Sequence, residues 1–203
     1  MADAEGAGPD LAPLRPGDAL VVVDVQRDFL PGGRLAVPRA DEVVPVLNRY
    51  LADFVRAGLP VFATRDWHPA DHCSFRARGG PWAPHCVQGS DGARFAPGLA
   101  LPDASQVVSK DVDRDQNTYS AFEGGDLDAR LRAAGVRRIF VGGLATDYCV
   151  LQTVKDALAR GYDVVLLADA IRAVDVTPGD GARAEAEMQR LGALPTRGPL
   201  PPR

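Results

Sequence analysis

The sequence is short of several features that would each announce a function class. Cysteine is scarce: three in 203 residues, an odd number at irregular spacing, so no disulfide framework is implied and a reducing cytoplasm fits. There is no basic excess. Lys and Arg number 23 against 27 Asp and Glu, a net charge of -4 with no basic stripe, which argues against a nucleic-acid partner. No apolar run approaches the ~20 residues of a membrane helix, and the longest, residues 19–25, is interrupted by Asp24. The acidic, Ala-, Gly- and Pro-rich start lacks the basic and apolar regions of a signal peptide. Internal repeats are missing too. The glycine pairs at 32–33, 79–80 and 124–125 lack the spacing of a dinucleotide or phosphate-binding loop. The expectation is a cytoplasmic protein with neither membrane nor nucleic-acid partners.

What is present is an ordinary globular balance, 46% hydrophobic and 25% charged residues. The length suits about one domain, able to form its core without disulfides or a stapling metal, so any metal would be functional. Residues 1–16 predict a flexible arm, 17–196 a single α/β domain and 197–203 a Pro-rich tail. Residues 19–24 (ALVVVD) are a continuous apolar run stopping at a carboxylate, the mark of a strand buried on both faces. Residues 41–58 follow with Val43, Val44, Leu47, Tyr50, Leu51, Phe54 and Val55 on one helical face, Asp41 as the expected N-cap and Gly58 closing the helix. The alternation continues with strands at 60–66, 106–110, 137–142 and 162–168 and a short sixth near 193–196. Helices are expected at 127–134, at 147–160, capped by Thr146 or Asp147, and at 179–191, while 67–105 is a long polar stretch. Alternating strand and helix predicts right-handed crossovers in a three-layer α/β/α sandwich whose central, mainly parallel sheet has about six strands.

Open α/β sheets bind ligands beyond the carboxyl ends of their strands. Those positions hold Asp24, then Asp66 with His68, then Lys110 and, just past the fourth strand, Cys149. Any one of them is ordinary as a solvated strand-end group. Four successive strands delivering a reactive side chain to one edge are harder to dismiss. Cys149 falls in GGLATDYCV (142–150), at the expected start of a helix, where the dipole and free N–H groups favour a thiolate and could hold an oxyanion. Its plainer reading is a buried small hydrophobe, and its neighbours tip the balance to nucleophile. Cys73 and Cys86 have no such setting. Asp66 and His68 share a strand face, and with His85 they form a two-His, one-carboxylate set suited to a catalytic divalent metal. A hydrogen-bonded pair holding the loop is the plainer reading, and the spacing leaves open whether His72 or Cys86 completes the shell. Lys110 is either a snorkelling surface residue or a buried cation that polarises the substrate or stabilises an ion pair. Phe29, Trp82 and Tyr119 are loop aromatics that either line a ring-binding pocket or plug their loops.

Six segments carry a resemblance: VVVDVQRDFLPGGRLAV (21–37), TRDWHPADHCSF (64–75), PWAPHCVQG (81–89), Lys110, TYSAF (118–122) and GGLATDYCV (142–150). Together they resemble the nicotinamidases, a branch of the isochorismatase-like cysteine hydrolases, over roughly residues 18–196. By position the resemblance implies a catalytic triad of Asp24, Lys110 and Cys149, and metal ligands Asp66, His68 and His85. It implies an oxyanion hole from the N–H groups of Ala145 and Cys149, a cis peptide at Leu144–Ala145, and ring contacts from Phe29, Trp82 and Tyr119. Ser74 stands where some relatives place a further histidine, and Arg114 and Asn117 depart from the usual loop before TYSAF. The implied reaction is hydrolysis of nicotinamide, and of pyrazinamide-like amides, to the acid and ammonia, as in NAD salvage. The implied cofactor is one divalent metal, zinc foremost, with Mn2+ or Fe2+ as alternatives. A homo-oligomer would be in keeping with the family. Two other readings stand beside this one: hydrolysis of acyclic carbamoyl or ureido amides, and a catalytically silent metal-binding or thiol-sensing protein on the same fold.

Overall fold

Strand β1 (Asp18–Val23) is buried along its whole length, as its unbroken apolar run predicts. In this computed structural model, which describes residues 13–200, β1 runs beside β2 (Val61–Asp66) and β4 (Arg138–Leu144). Outside them lie β3 (Gln106–Lys110), β5 (Asp163–Arg172) and the short β6 (Leu194–Thr196). The order is β3-β2-β1-β4-β5-β6. Every neighbouring pair is parallel, so the mainly parallel sheet expected is wholly parallel.

Side chains alternate between two cores, as the two-residue period of a strand requires. Leu20 and Val22 join Leu47, Leu51 and Phe54 of helix α1 (Val43–Arg56) on one face. Ala19, Val21 and Val23 join residues of α2 (Leu127–Ala133), α3 (Leu151–Ala159) and α4 (Asp180–Arg190) on the other. Each fully buried Leu or Val side chain contributes roughly 1.5–3 kcal/mol. The long segment 67–105 replaces a helix on the α1 face, packing Ala93 and Ala96 there. Chain direction along the sheet therefore reverses between β1 and β4, the switch point where the carboxyl ends part to leave a crevice. Gly143 allows close approach there. It has φ +130°, and a Cβ on it would overlap the Val23 carbonyl of β1.

Three expectations are corrected. Asp41 does not cap α1: it lies in a single 3-10 turn (Ala40–Glu42), and α1 starts without a side-chain cap. Neither Thr146 nor Asp147 caps the next helix, because Thr146–Val150 forms a π-helical turn ahead of α3 with no side-chain cap. The Asp147 carboxylate instead accepts the backbone N–H groups of Val174 and Asp175, both at 2.9 Å. The arm expected over 1–16 is fastened at its end. Leu14 is buried in the core, and Arg138 donates to the Pro13 carbonyl at 3.1 Å. Residues 1–12 and 201–203 lie outside the described residues. Among those described, no helix is long and apolar enough to cross a membrane.

Candidate active site

The sheet register assembles the first cluster. β2 and β3 pair so that Asp66 lies beside Lys110, and Asp24, with φ 49°, turns out of β1 next to them. The Lys110 ammonium, 1% exposed, is 3.1 Å from Asp24 Oδ2 and 3.7 Å from Cys149 Sγ, and it also pairs with Asp66 Oδ1. Thr64 Oγ1 donates to Asp24 Oδ1 at 2.6 Å. Burial opposes the charge on Lys110, yet Asp24 and Asp66 outweigh it and hold the ammonium well above its ordinary range.

At Cys149 burial works against the thiolate that a helix start favours. Burial pushes the thiol well above its ordinary value. Lys110 pulls it down, but Asp24 and Asp66 add to the rise. Burial also raises Asp24, against the pull of Lys110 and the Thr64 hydroxyl. Thiol and carboxyl therefore both hold a proton more tightly than they would in water.

A second cluster shares Asp66. His68 Nδ1 is 3.0 Å from the His85 carbonyl and His85 Nδ1 is 2.8 Å from the Ala83 carbonyl. Each bond assigns the ring proton to Nδ1. The two Nε2 lone pairs are left facing Asp66, at 4.0 Å for His68 and 3.8 Å for His85. Donor atoms of Asp66, His68 and His85, all buried, lie within 4.8 Å of one another. Two imidazoles with their outer nitrogens tied to carbonyls, plus one carboxylate, are the donors a zinc-like divalent ion takes. His72 resolves as a loop hydrogen-bonder: Nδ1 meets Ser74 Oγ at 2.8 Å and Nε2 the Gln116 carbonyl at 2.6 Å. Burial disfavours a charge on Asp66, but Lys110 and the two histidines outweigh it and lower its pKa.

The two clusters meet on one cavity with about 510 Å³ of empty space, its open mouth included. Phe29, Trp82, Tyr119, Ala145, Cys149, Asp66, His68 and His85 all line it, so the predicted site residues, apart from the buried Asp24 and Lys110 behind Cys149, share its wall. Phe29 stands 5.6 Å from the His85 ring, and Trp82 Nε1 donates to the Tyr119 hydroxyl at 3.3 Å. The Leu144–Ala145 peptide is cis. Of the three cysteines, only Cys149 lines the cavity.

Sequence reasoning missed four contributors. Tyr148 packs edge-on to Trp82, centroids 5.2 Å apart. Its signal was an aromatic next to the candidate nucleophile. Gln26 reads both backbone groups of Asp66, accepting its N–H and donating to its carbonyl at 2.8 Å each. In the sequence it is only a polar residue inside the segment VVVDVQRDFLPGGRLAV. Thr64 and Asp111 had no signal beyond their nearness to Asp66 and Lys110.

An isochorismatase domain matches residues 18–196. The chain belongs to the isochorismatase family. The motif resemblance is thereby borne out at the level of family. Within it, the chain is 40% identical over 199 residues to the nicotinamidase of Escherichia coli (strain K12), covering 88% of this chain and 93% of that one. Its fold superposes on the zinc complex of the pyrazinamidase of Pyrococcus horikoshii with a TM-score of 0.86. Identity there is 46%, over 90% of this chain and 100% of that one. The nicotinate complex of PnC1 from L. infantum matches with a TM-score of 0.83 and 39% identity, over 90% and 93% of the two chains.

Proposed function

We propose that this isochorismatase-family chain is a nicotinamidase, a cysteine amidohydrolase that converts nicotinamide and water to nicotinate and ammonia. One observation carries the reading: a thiol–carboxylate–ammonium cluster and a two-histidine, one-carboxylate cluster share Asp66 and open onto the same aromatic-lined cavity. A nucleophile alone would suit any amide. A nucleophile beside an anchor for a basic ring nitrogen suits a pyridine carboxamide. The similar chains named for nicotinamide and pyrazinamide hydrolysis support the same substrate class.

In this mechanism Asp24 takes the proton of the Cys149 thiol as sulfur attacks the amide carbon. Lys110 keeps the developing negative charge compensated. The backbone N–H groups of Ala145 and Cys149 hold the oxyanion. Collapse of the tetrahedral adduct breaks the C–N bond, and Asp24 returns its proton to the departing ammonia. A water then attacks the thioester, giving its proton to Asp24, which passes it back to the leaving sulfur. Phe29, Trp82 and Tyr119 clamp the ring faces and exclude water. Asp66, His68 and His85 would hold a divalent metal, whose Lewis acidity supplies a partner for the ring nitrogen.

Ammonia release from nicotinamide, benzamide and an acyclic ureido amide tests the assignment. Sites built around a polar partner reject analogues lacking it, so benzamide is expected to show at least ~100-fold lower kcat/KM. Chelation should bring nicotinamide down toward benzamide, and restoring the metal should reverse this. Equal turnover of the two ring amides by the metal-loaded enzyme would overturn the anchoring role. Preference for the ureido amide would move the assignment to another branch of the family.

A further inference from the structure

One buried carboxylate faces the metal-type cluster and has no part in the mechanism above. Asp111, the residue after Lys110, is 1% exposed and sits at φ 53°, a backbone conformation that non-glycine residues rarely adopt. Its Oδ1 is fully engaged, accepting the Thr118 N–H at 2.8 Å and the Thr118 hydroxyl at 2.9 Å. Its Oδ2 points the other way, to 3.7 Å from His68 Nε2, closer to that nitrogen than Asp66 is at 4.0 Å. Asp111 also lines the cavity.

Among the described residues, two donor groups share His68: Asp66–His68–His85, and His68–His72–Asp111, each within 4.8 Å. His72 drops out of the second because both its ring nitrogens are bonded to Ser74 and Gln116. Asp111 remains, on the open flank of His68 Nε2. It does not gather with Asp66 and His85 in one group, so it is displaced from the direct ligand positions of a single ion. Bonds to such an ion are about 2.0–2.2 Å long, which leaves room for a water between the ion and this carboxylate.

We propose that Asp111 is a further acidic member of the metal site, gripping the ion through a metal-bound water and tying it, through Thr118, to the loop that carries Tyr119. The inference rests on the metal reading of Asp66, His68 and His85. A second carboxylate raises the affinity of a two-histidine site for a divalent cation and orients a water in its open positions. Outer partners of this kind are worth about 10–100-fold in metal affinity. Through its Oδ1 the same carboxylate sets the start of the 118–122 segment, so metal loading and placement of Tyr119 are coupled.

The test is direct metal binding rather than turnover. Zn2+ affinity is measured by competition with a chelating dye for the wild type, His68→Ala, Asp111→Asn and Asp111→Gly. Asp115→Asn serves as the control, a carboxylate on the same loop that is exposed. Asp111→Asn keeps an oxygen to accept from Thr118, and Asp111→Gly suits the positive φ, so one of the two retains the fold by either route. The expected result is near-complete loss in His68→Ala, a roughly 10–100-fold loss in both Asp111 variants and no change in Asp115→Asn. If the wild type and Asp111 variants bind Zn2+ equally while His68→Ala fails, the role of Asp111 is overturned and the metal reading stands. If the wild type binds no Zn2+, Mn2+ or Fe2+ at all, both fall.

Discussion

Strand β1 carries a buried aspartate at each end of its run, and the two live in opposite circumstances. Asp18, 1% exposed, is fully matched. Arg138 meets it with two parallel bonds, Nε to Oδ1 at 2.8 Å and Nη2 to Oδ2 at 2.6 Å, and the Arg15 N–H adds a third at 2.7 Å. Asp24, 0% exposed, must share its cation. Lys110 is divided among Asp24, Asp66 and Cys149, and the proton affinity of Asp24 rises. A planar guanidinium on a carboxylate satisfies both partners and leaves nothing to react. A point-charge ammonium spread over two acids and a thiol leaves one acid ready to take a proton. Burial of charge alone therefore does not mark the site. Burial with incomplete pairing, beside a cavity, does.

Substituting each aspartate breaks the comparison in a different observable. Asp24→Asn keeps an oxygen for Thr64 but cannot take the thiol proton, so kcat should fall about 10²–10⁴-fold with the melting temperature little changed. Steady-state ammonia release and a thermal melt decide it. A near-normal rate would mean that another base serves Cys149. Asp18→Asn should do the reverse. Leaving Arg138 buried without its counter-charge costs about 3–5 kcal/mol, a drop on the order of 10 °C in Tm for a chain of this size, while kcat per folded molecule holds. Replacing both partners, Asp18→Leu with Arg138→Met, should recover most of that loss. Thr64→Val is the finest probe. It removes one hydrogen bond to Asp24 and should lower kcat about tenfold, the effect of roughly 1.4 kcal/mol, with a small shift in the pH–rate profile. An unchanged profile would assign Thr64 to packing.

The same contrast explains what could be read in advance. Asp24, Asp66 and Lys110 were legible because strands end at them, and Cys149 because it opens the helix that follows the fourth strand; in a parallel sheet those ends share one edge. The strands were found to within a few residues for the same reason. What decides their chemistry was not local. That Lys110 reaches Asp66 depends on the β2–β3 register, and that Thr64 supports Asp24 depends on the fit between β1 and β2. The pairing of Asp18 with Arg138 lies in the β1–β4 register, which no pattern in either strand announces. The start of α3 was misjudged because Asp147, a good cap by type, meets the unpaired donors of Val174 and Asp175 instead. Asp111 carried no local signal, since its positive φ and its two differently engaged carboxylate oxygens exist only in the fold.

The most direct test of the central claim, that the unsatisfied end of β1 activates Cys149 for covalent amide hydrolysis, is intact and peptide mass spectrometry of the enzyme rapidly quenched during turnover of nicotinamide, with Cys149→Ala run in parallel for ammonia release. The account predicts one nicotinoyl group on Cys149, none on Cys73 or Cys86, and a folded Cys149→Ala enzyme that releases no ammonia. Ammonia released by Cys149→Ala at a rate near the wild type, or an adduct carried by a different residue, would contradict it.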